Sequence, residues 1–120
     1  MAQILLADDD AASVDLVRRA LESDGHCVHV TQDGSDALEI FKAGAGSFDL
    51  IVTDVEMPGL DGVSFAKEAL ALSPRIKVLM MSGFAEQLER GRWLEPARLG
   101  ILPKPFTLEQ FRAAIRTALK

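Results

Sequence analysis

The length and charge of the chain limit both its architecture and its partners. A chain of 120 residues is long enough for one packed domain and too short for two, so we expect one domain over residues 1–120. The net charge of −5 argues against direct binding to nucleic acid, and a single cysteine excludes an internal disulfide. The chain has no apolar run that could cross a membrane and no signal peptide, so we expect a cytoplasmic protein without membrane insertion.

Short apolar strands alternate with amphipathic helices in the first half of the chain. Residues 4–7 and 27–31 are predicted strands, with Cys27 as a small core residue on the second. Residues 11–23 and roughly 35–42 are predicted helices, because their apolar residues recur on one face. Aspartate and glycine precede the second helix and follow the first, as turns and helix ends require.

The second half of the chain continues this alternation around a central strand. Phe48 to Asp54 is the predicted central strand. It contains an apolar run, Leu50 to Val52, and ends on a carboxylate, and residues 57–59 turn the chain away from the sheet. The remaining predicted elements are a helix begun by Asp61-Gly62 and closed by Ser73-Pro74, a strand at 76–81, a polar helix at 86–95, a strand at 100–102 and a final helix reaching Lys120. This alternation predicts an α/β fold, with a parallel sheet covered by helices on both faces.

The final helix carries a clear start signal. Thr107 and Gln110 have the spacing of a capping box, in which each side chain bonds the backbone amide of the other residue. Phe106 and Phe111 have the spacing of a hydrophobic staple around this box. Asp10 is likewise expected to be a helix-start residue, because aspartate at that position accepts hydrogen bonds from free amides.

Polar side chains stand at the carboxyl ends of four of the five predicted strands. Asp8 and Asp9 follow the first strand, Asp54 ends the third, Ser82 follows the fourth and Lys104 follows the fifth. With a strand order of 2-1-3-4-5, the three carboxylates converge at the switch point between strands 1 and 3. Clustered carboxylates repel one another unless a cation intervenes, and hard oxygen ligands suit Mg²⁺. The hydroxyl and the ammonium can donate to an anion, so the set describes a site for a phosphoryl group.

These motifs together resemble the response-regulator receiver domain of bacterial two-component signalling, over the full length of the chain. The matching segments are the acid pair after the first strand, Asp54 with Met57-Pro58 and Asp61-Gly62 behind it, Ser82-Gly83, and Lys104-Pro105-Phe106. The resemblance implies a flavodoxin-like (βα)5 fold and a phosphorylation switch that is not an enzyme, although it catalyses its own phosphorylation and dephosphorylation. A histidine kinase or phosphotransfer protein is the implied donor, and a downstream protein is the implied target. No segment follows the final helix, so we expect a stand-alone receiver.

The resemblance also assigns roles to the acidic residues. Asp54 is the implied phosphoacceptor. Asp9 and Asp54 are the implied Mg²⁺ ligands, Asp8 acts largely through a bound water, and Glu56 contributes its backbone carbonyl.

The resemblance implies further roles after the fourth and fifth strands. Ser82 is the implied switch hydroxyl, Lys104 the implied phosphate-binding lysine, and Lys104–Pro105 an implied cis peptide. The family usually places an aromatic switch residue three positions before the lysine, and here that position is Ile101. We therefore expect the segment from Phe84 to Arg98 to be the mobile element. Partner contacts are expected to involve this segment, with Trp93 or its neighbours, and the exposed face of the fifth strand and the final helix.

Other functions fit parts of the same pattern. An aspartyl-nucleophile phosphatase would use the acid-x-acid spacing of Asp8 and Asp10, but it would leave Asp54 unexplained. A flavodoxin-like cofactor binder needs a glycine- and hydroxyl-rich phosphate loop where this chain has three aspartates. Two further alternatives keep the same fold and differ from the phosphorylation switch only in their output. One is a phosphate relay or sink, and the other is an interaction module that works without phosphorylation.

Overall fold

The computed structural model describes residues 2–44, 47–82 and 99–119 of the chain. Within these ranges five strands form one sheet: β1 (Gln3–Ala7), β2 (Cys27–Thr31), β3 (Leu50–Asp54), β4 (Lys77–Ser82) and β5 (Leu99–Pro103). The helices of the same ranges are α1 (Ala11–Ser23), α2 (Gly34–Ala43), α3 (Gly62–Leu72) and α4 (Leu108–Leu119). The polar helix predicted at 86–95 lies outside the described residues.

All neighbouring strands of the sheet are parallel, in the order β2-β1-β3-β4-β5. This order confirms the flavodoxin-like α/β fold that the sequence indicated. The register aligns Ala7 of β1 with Thr53 of β3, and Ser82 of β4 with Pro103 of β5. The residues that follow these partners therefore emerge side by side at the carboxyl edge of the sheet.

Helices cover both faces of the sheet and create two apolar cores. Phe41 of α2 and Phe65 of α3 are fully buried on one face, while Val17 of α1 and Phe111 of α4 are buried on the other. The central strands contribute side chains alternately to the two cores, which is why their sequences are continuous apolar runs. The sheet is thereby packed on both faces beneath the polar groups at its carboxyl edge.

The prediction that Cys27 is a core residue is wrong. Its side chain is exposed, and only Thr31 among the residues of β2 is buried. Among the strands of the described ranges, β2 lies at the edge of the sheet and pairs with β1 alone, so no described strand lies on its other side.

The predicted helix starts are confirmed by their hydrogen bonds. The Asp10 carboxylate accepts from the Ala12 amide at 3.1 Å at the start of α1. In the capping box, the Thr107 amide donates to the Gln110 side chain at 2.8 Å, and the Gln110 amide donates to the Thr107 hydroxyl at 3.1 Å. The rings of the predicted staple stack with their centroids 5.7 Å apart, between Phe106 and Phe111.

Candidate functional site

Three carboxylates converge at the carboxyl edge of the sheet, as the sequence predicted. Asp8 and Asp9 follow β1 and Asp54 ends the adjacent β3, and one oxygen of each lies within 4.8 Å of the others. Asp8 and Asp54 are buried, whereas Asp9 is exposed to solvent. This spacing would let all three residues contribute an oxygen to one divalent cation.

The lysine that follows β5 reaches the same cluster. The Lys104 Nζ lies 3.3 Å from Asp54 Oδ2 and 3.7 Å from Asp8 Oδ2. Its backbone amide donates to the carbonyl of Ser82 at 2.8 Å, which ties the loop after β5 to the end of β4. The Lys104–Pro105 peptide is cis, which confirms that expectation. The ammonium thus partly balances two buried negative charges.

The carboxylate of Asp8 is only partly satisfied by its surroundings. Its Oδ1 accepts from the Asp10 amide at 3.0 Å, whereas its buried Oδ2 has no hydrogen-bond partner among the described residues. Burial raises the pKa of Asp8 above its ordinary value, and the neighbouring Asp54 charge adds to the rise, against the lowering by the Asp10 amide and by Lys104. A buried oxygen without a donor is the acceptor that a divalent cation, or a water bound to one, would use. The donor set therefore fits a hard metal ion such as Mg²⁺.

We expect the variant Asp8→Asn to be more stable than the parent protein at pH 7 without divalent metal, by on the order of 1 kcal/mol. The pKa of Asp8 is raised from 3.8, so the folded state holds this proton more tightly than the unfolded state. The parent protein therefore loses stability as the pH rises from below 3.8 through the folded-state pKa, and asparagine has no such loss.

Urea unfolding at a series of pH values measures this difference. The gain of Asp8→Asn should grow across that acidic window and then stay constant. Asp9→Asn is the control. It also removes one negative charge from the cluster, but Asp9 is exposed, so no buried charge is removed. A variant Asp8→Asn that is less stable than the parent at pH 7 would contradict the account of a strained carboxylate.

The phosphoacceptor candidate, Asp54, is held by the backbone on one side and open to a cleft on the other. Its Oδ1 accepts from the Val55 amide at 2.8 Å, and its Oδ2 faces Lys104. The cleft is lined by Asp54 together with Asp9, Val55, Glu56, Met57, Pro58 and Asp61. The Asp54 carboxylate is therefore fixed in direction but accessible, which an attacking group requires.

The predicted switch residues lie on the two strands next to this cluster. Ser82 is buried at the end of β4, beside Pro103 of β5. Ile101 of β5 is half-buried and packs against the core formed with α2 and α3. The expected mobile segment from Phe84 to Arg98, including Trp93, lies outside the described residues, so its movement and partner contacts stay predictions.

Sequence reasoning missed one group of residues that borders the site. Gly34, at the start of α2, lies against the carbonyl of Leu60 in the loop between β3 and α3. The local signal was the dipeptide Asp33-Gly34, which the sequence marked only as a turn. The contact joins residues distant in sequence, so the local pattern could not reveal it.

Comparisons with known proteins agree with this geometry. The family model described as response regulator receiver domain matches residues 4–116. The sensor kinase CckA of Brucella abortus is 38% identical over 117 residues, covering 98% of this chain and 12% of the relative. The response regulator MprA of Mycolicibacterium vanbaalenii is 33% identical over 118 residues, covering 98% of this chain and 50% of the relative. The chain thus spans half or less of the length of these curated relatives.

Solved structures show the same architecture. A response regulator receiver protein from Sinorhizobium medicae superposes with a TM-score of 0.87 at 34% identity, covering 98% of this chain and 94% of that one. A receiver domain protein from Clostridium thermocellum superposes with a TM-score of 0.87 at 28% identity, covering 99% and 94%. None of the helices in the described ranges is long and apolar enough to cross a membrane. By sequence, fold and the geometry of its carboxyl edge, this chain belongs to the response regulator receiver domain family of two-component systems.

Proposed function

We propose that the chain is a phosphorylation-dependent signalling switch. It accepts a phosphoryl group on Asp54 from a histidine kinase or phosphotransfer protein, with Mg²⁺, and passes the change on through contacts with a protein target. The observation that carries this proposal is the placement of Asp54 between two acids and the ammonium of Lys104, 3.3 Å away, at the edge of an open cleft. In this proposal residues 1–120 form one receiver domain that modifies itself and acts on no separate substrate.

The chain's own residues divide the work of phosphoryl transfer. An oxygen of Asp54 attacks phosphorus, a new O–P bond forms, and the bond from phosphorus to the donor nitrogen breaks with its electron pair leaving on that nitrogen. Asp8, Asp9 and Asp54, with the backbone carbonyl of Glu56, would hold Mg²⁺. The bound ion would neutralise charge on the phosphoryl oxygens.

Two donors then respond to the new charge. The Lys104 ammonium pairs with Asp54 and Asp8 before transfer, and it is close enough to exchange Asp54 for a phosphoryl oxygen afterwards. Ser82, buried at the end of β4, is the hydroxyl that we assign to the second interaction. Its shift towards the phosphoryl group would be the first structural change that a partner can read.

A phosphate relay is the second candidate. This chain is 38% identical to a segment of a sensor kinase. That similarity supports an intermediate role, in which Asp54 passes the phosphoryl group onward. The lifetime of the phosphoryl group with and without a cognate phosphotransfer protein distinguishes relay from switch.

The test of the proposed function is the site of modification in the unaltered protein. Incubation with acetyl phosphate and Mg²⁺, followed by borohydride trapping and peptide mass spectrometry, should place one phosphoryl group on Asp54. Modification of Asp8, Asp9 or a residue outside the cleft instead would refute the assignment.

Magnesium should stabilise the fold. Asp8, Asp9 and Asp54 repel one another in the metal-free protein, and a cation that binds only the folded cluster relieves the repulsion. At a tenfold excess of Mg²⁺ over its dissociation constant we expect about 1.4 kcal/mol of stabilisation. Thermal unfolding in millimolar Mg²⁺ measures this, with a control matched in chloride. An unchanged melting temperature would exclude a metal site here.

A further inference from the structure

The start of α2 is pressed against the loop that connects β3 to α3. The Gly34 amide donates to the carbonyl of Pro58 at 3.1 Å. A Cβ placed on Gly34 would lie only 1.6 Å from the carbonyl oxygen of Leu60, so no other amino acid fits without a shift of the backbone. We call this contact of Asp33 and Gly34 with residues 58–60 the α2 junction.

The side chain that caps α2 belongs to the same junction. The Asp33 carboxylate accepts from the Ser35 amide at 2.7 Å and from the Asp36 amide at 3.2 Å. The same oxygen would lie 2.5 Å from a Cβ on Gly59, whose φ of +80° also favours glycine. Helix capping and loop packing are thus performed by one carboxylate.

The loop is also anchored at its far end, beneath the phosphoacceptor. The Gly62 amide donates to the Val55 carbonyl at 2.8 Å, and a Cβ on Gly62 would lie 2.1 Å from the carbonyl oxygen of Asp54. Between these anchors the loop contributes Glu56 to the lining of the cleft, together with Asp9 and Asp54. The position of Glu56 therefore depends on contacts at both ends of its loop.

We propose that Gly34 and Asp33 are positioning residues for the metal site, which hold the β3–α3 loop so that Glu56 can contribute to it. Glycine in a helix costs conformational entropy, so alanine at the first position of α2 would give a more stable helix. The close approach of the loop explains why glycine stands there instead. Neither residue belongs to the carboxylate cluster, so their effect on Mg²⁺ passes through the loop. This inference rests on the proposed function, because it assumes that the cluster binds Mg²⁺.

The test compares Mg²⁺ affinity in four variants, by titration of backbone amide NMR signals without any phosphodonor. Gly34→Ala should raise the dissociation constant about tenfold or more, as loss of supporting contacts around a metal does. Asp33→Ala should raise it as well, whereas Asp33→Asn should stay close to the parent, because asparagine caps a helix as well as aspartate does. Asp33→Ala and Asp33→Asn remove the same negative charge. A difference between their Mg²⁺ dissociation constants therefore reports on the α2 junction and not on long-range electrostatics.

Gly25→Ala is the control for lost stability alone. Gly25 has a φ of +90°, and no atom of the described ranges would lie within 4 Å of an added Cβ. It precedes β2 at the opposite edge of the sheet. Alanine there should lower the melting temperature and leave Mg²⁺ affinity unchanged. If Gly34→Ala does not fold, the comparison of Asp33→Ala with Asp33→Asn decides the proposal.

Amide hydrogen exchange provides a second readout that does not require metal. Gly34→Ala should lose protection in residues 55–60 but keep it in β1 and β3. If the parent protein binds Mg²⁺ and the junction variants bind it equally and keep loop protection, this inference is overturned and the proposed function stays intact. Parent protein that fails to bind Mg²⁺ would overturn both, and unchanged loop protection in Gly34→Ala would separately overturn the inference.

Discussion

Replacing Asp54 by asparagine should abolish phosphorylation of the chain by acetyl phosphate. The amide is neutral and a poor nucleophile, whereas it keeps the shape of the carboxylate and can still accept from the Val55 amide. The two neighbouring acids are not expected to take over. Asp8 is more deeply buried than Asp54 and is not among the described residues that line the open cleft. Asp9 is exposed, and it is Asp54 that the Val55 amide holds in place. Intact-protein mass spectrometry should show no phosphorylated fraction under conditions that modify the parent.

Asp61→Asn is the matched control for this loss. Asp61 lines the same cleft, and its carboxylate caps α3 by accepting from the Ser64 amide at 3.0 Å. Asparagine is an equally good cap, so this variant removes one negative charge from the cleft without unsettling the fold. It should still be phosphorylated on Asp54. A phosphorylated fraction that survives in Asp54→Asn would show that another residue accepts the group.

The sequence predicted most of the site because the relevant information is local. Four of the five strands are apolar runs that end on, or are followed by, a polar residue, and parallel pairing then brings Asp8, Asp54, Ser82 and Lys104 to one edge. The helix starts followed in the same way from capping residues. The strand order, in contrast, was assumed, in agreement with the flavodoxin-like fold that the family resemblance implies, since alternation alone is compatible with several parallel orders.

The features that the sequence did not predict depend on neighbours that are distant along the chain. Exposure of Cys27 follows from the position of β2 at the edge of the sheet, which its alternating residues do not specify. The packing of Gly34 on Leu60 joins α2 to a loop about 25 residues away, and no periodicity records such a contact. The Asp8 oxygen that has no hydrogen-bond partner within the described ranges likewise becomes visible only when burial and donors are known together.

Replacing Lys104 by alanine should destabilise the metal-free protein by about 2 kcal/mol. The ammonium lies 3.3 Å from Asp54 Oδ2 and 3.7 Å from Asp8 Oδ2, and its loss removes the counter-charge that the described residues supply to these two buried carboxylates. Loss of one partner from a fully buried pair costs about 3–5 kcal/mol, and the lower figure allows for the partial exposure of the lysine. Urea unfolding of both proteins in a chelator measures the difference.

Magnesium should reverse most of this loss, because it supplies the missing positive charge to the same oxygens. We therefore expect Mg²⁺ to stabilise Lys104→Ala by more than it stabilises the parent. Phosphorylation of Asp54 should persist in the variant, since the metal neutralises much of the phosphoryl charge.

The structural response to phosphorylation should be lost in Lys104→Ala. In the parent the Lys104 ammonium can move from Asp54 and Asp8 to a phosphoryl oxygen, and the variant has no ammonium at this position. Beryllofluoride should accordingly produce smaller amide shifts in β4 and β5 of Lys104→Ala than in the parent. Lys42→Ala, which removes an exposed lysine from α2, should resemble the parent throughout. An equal gain from Mg²⁺ in Lys104→Ala and the parent would show that the lysine and the metal do not share the charge of this cluster.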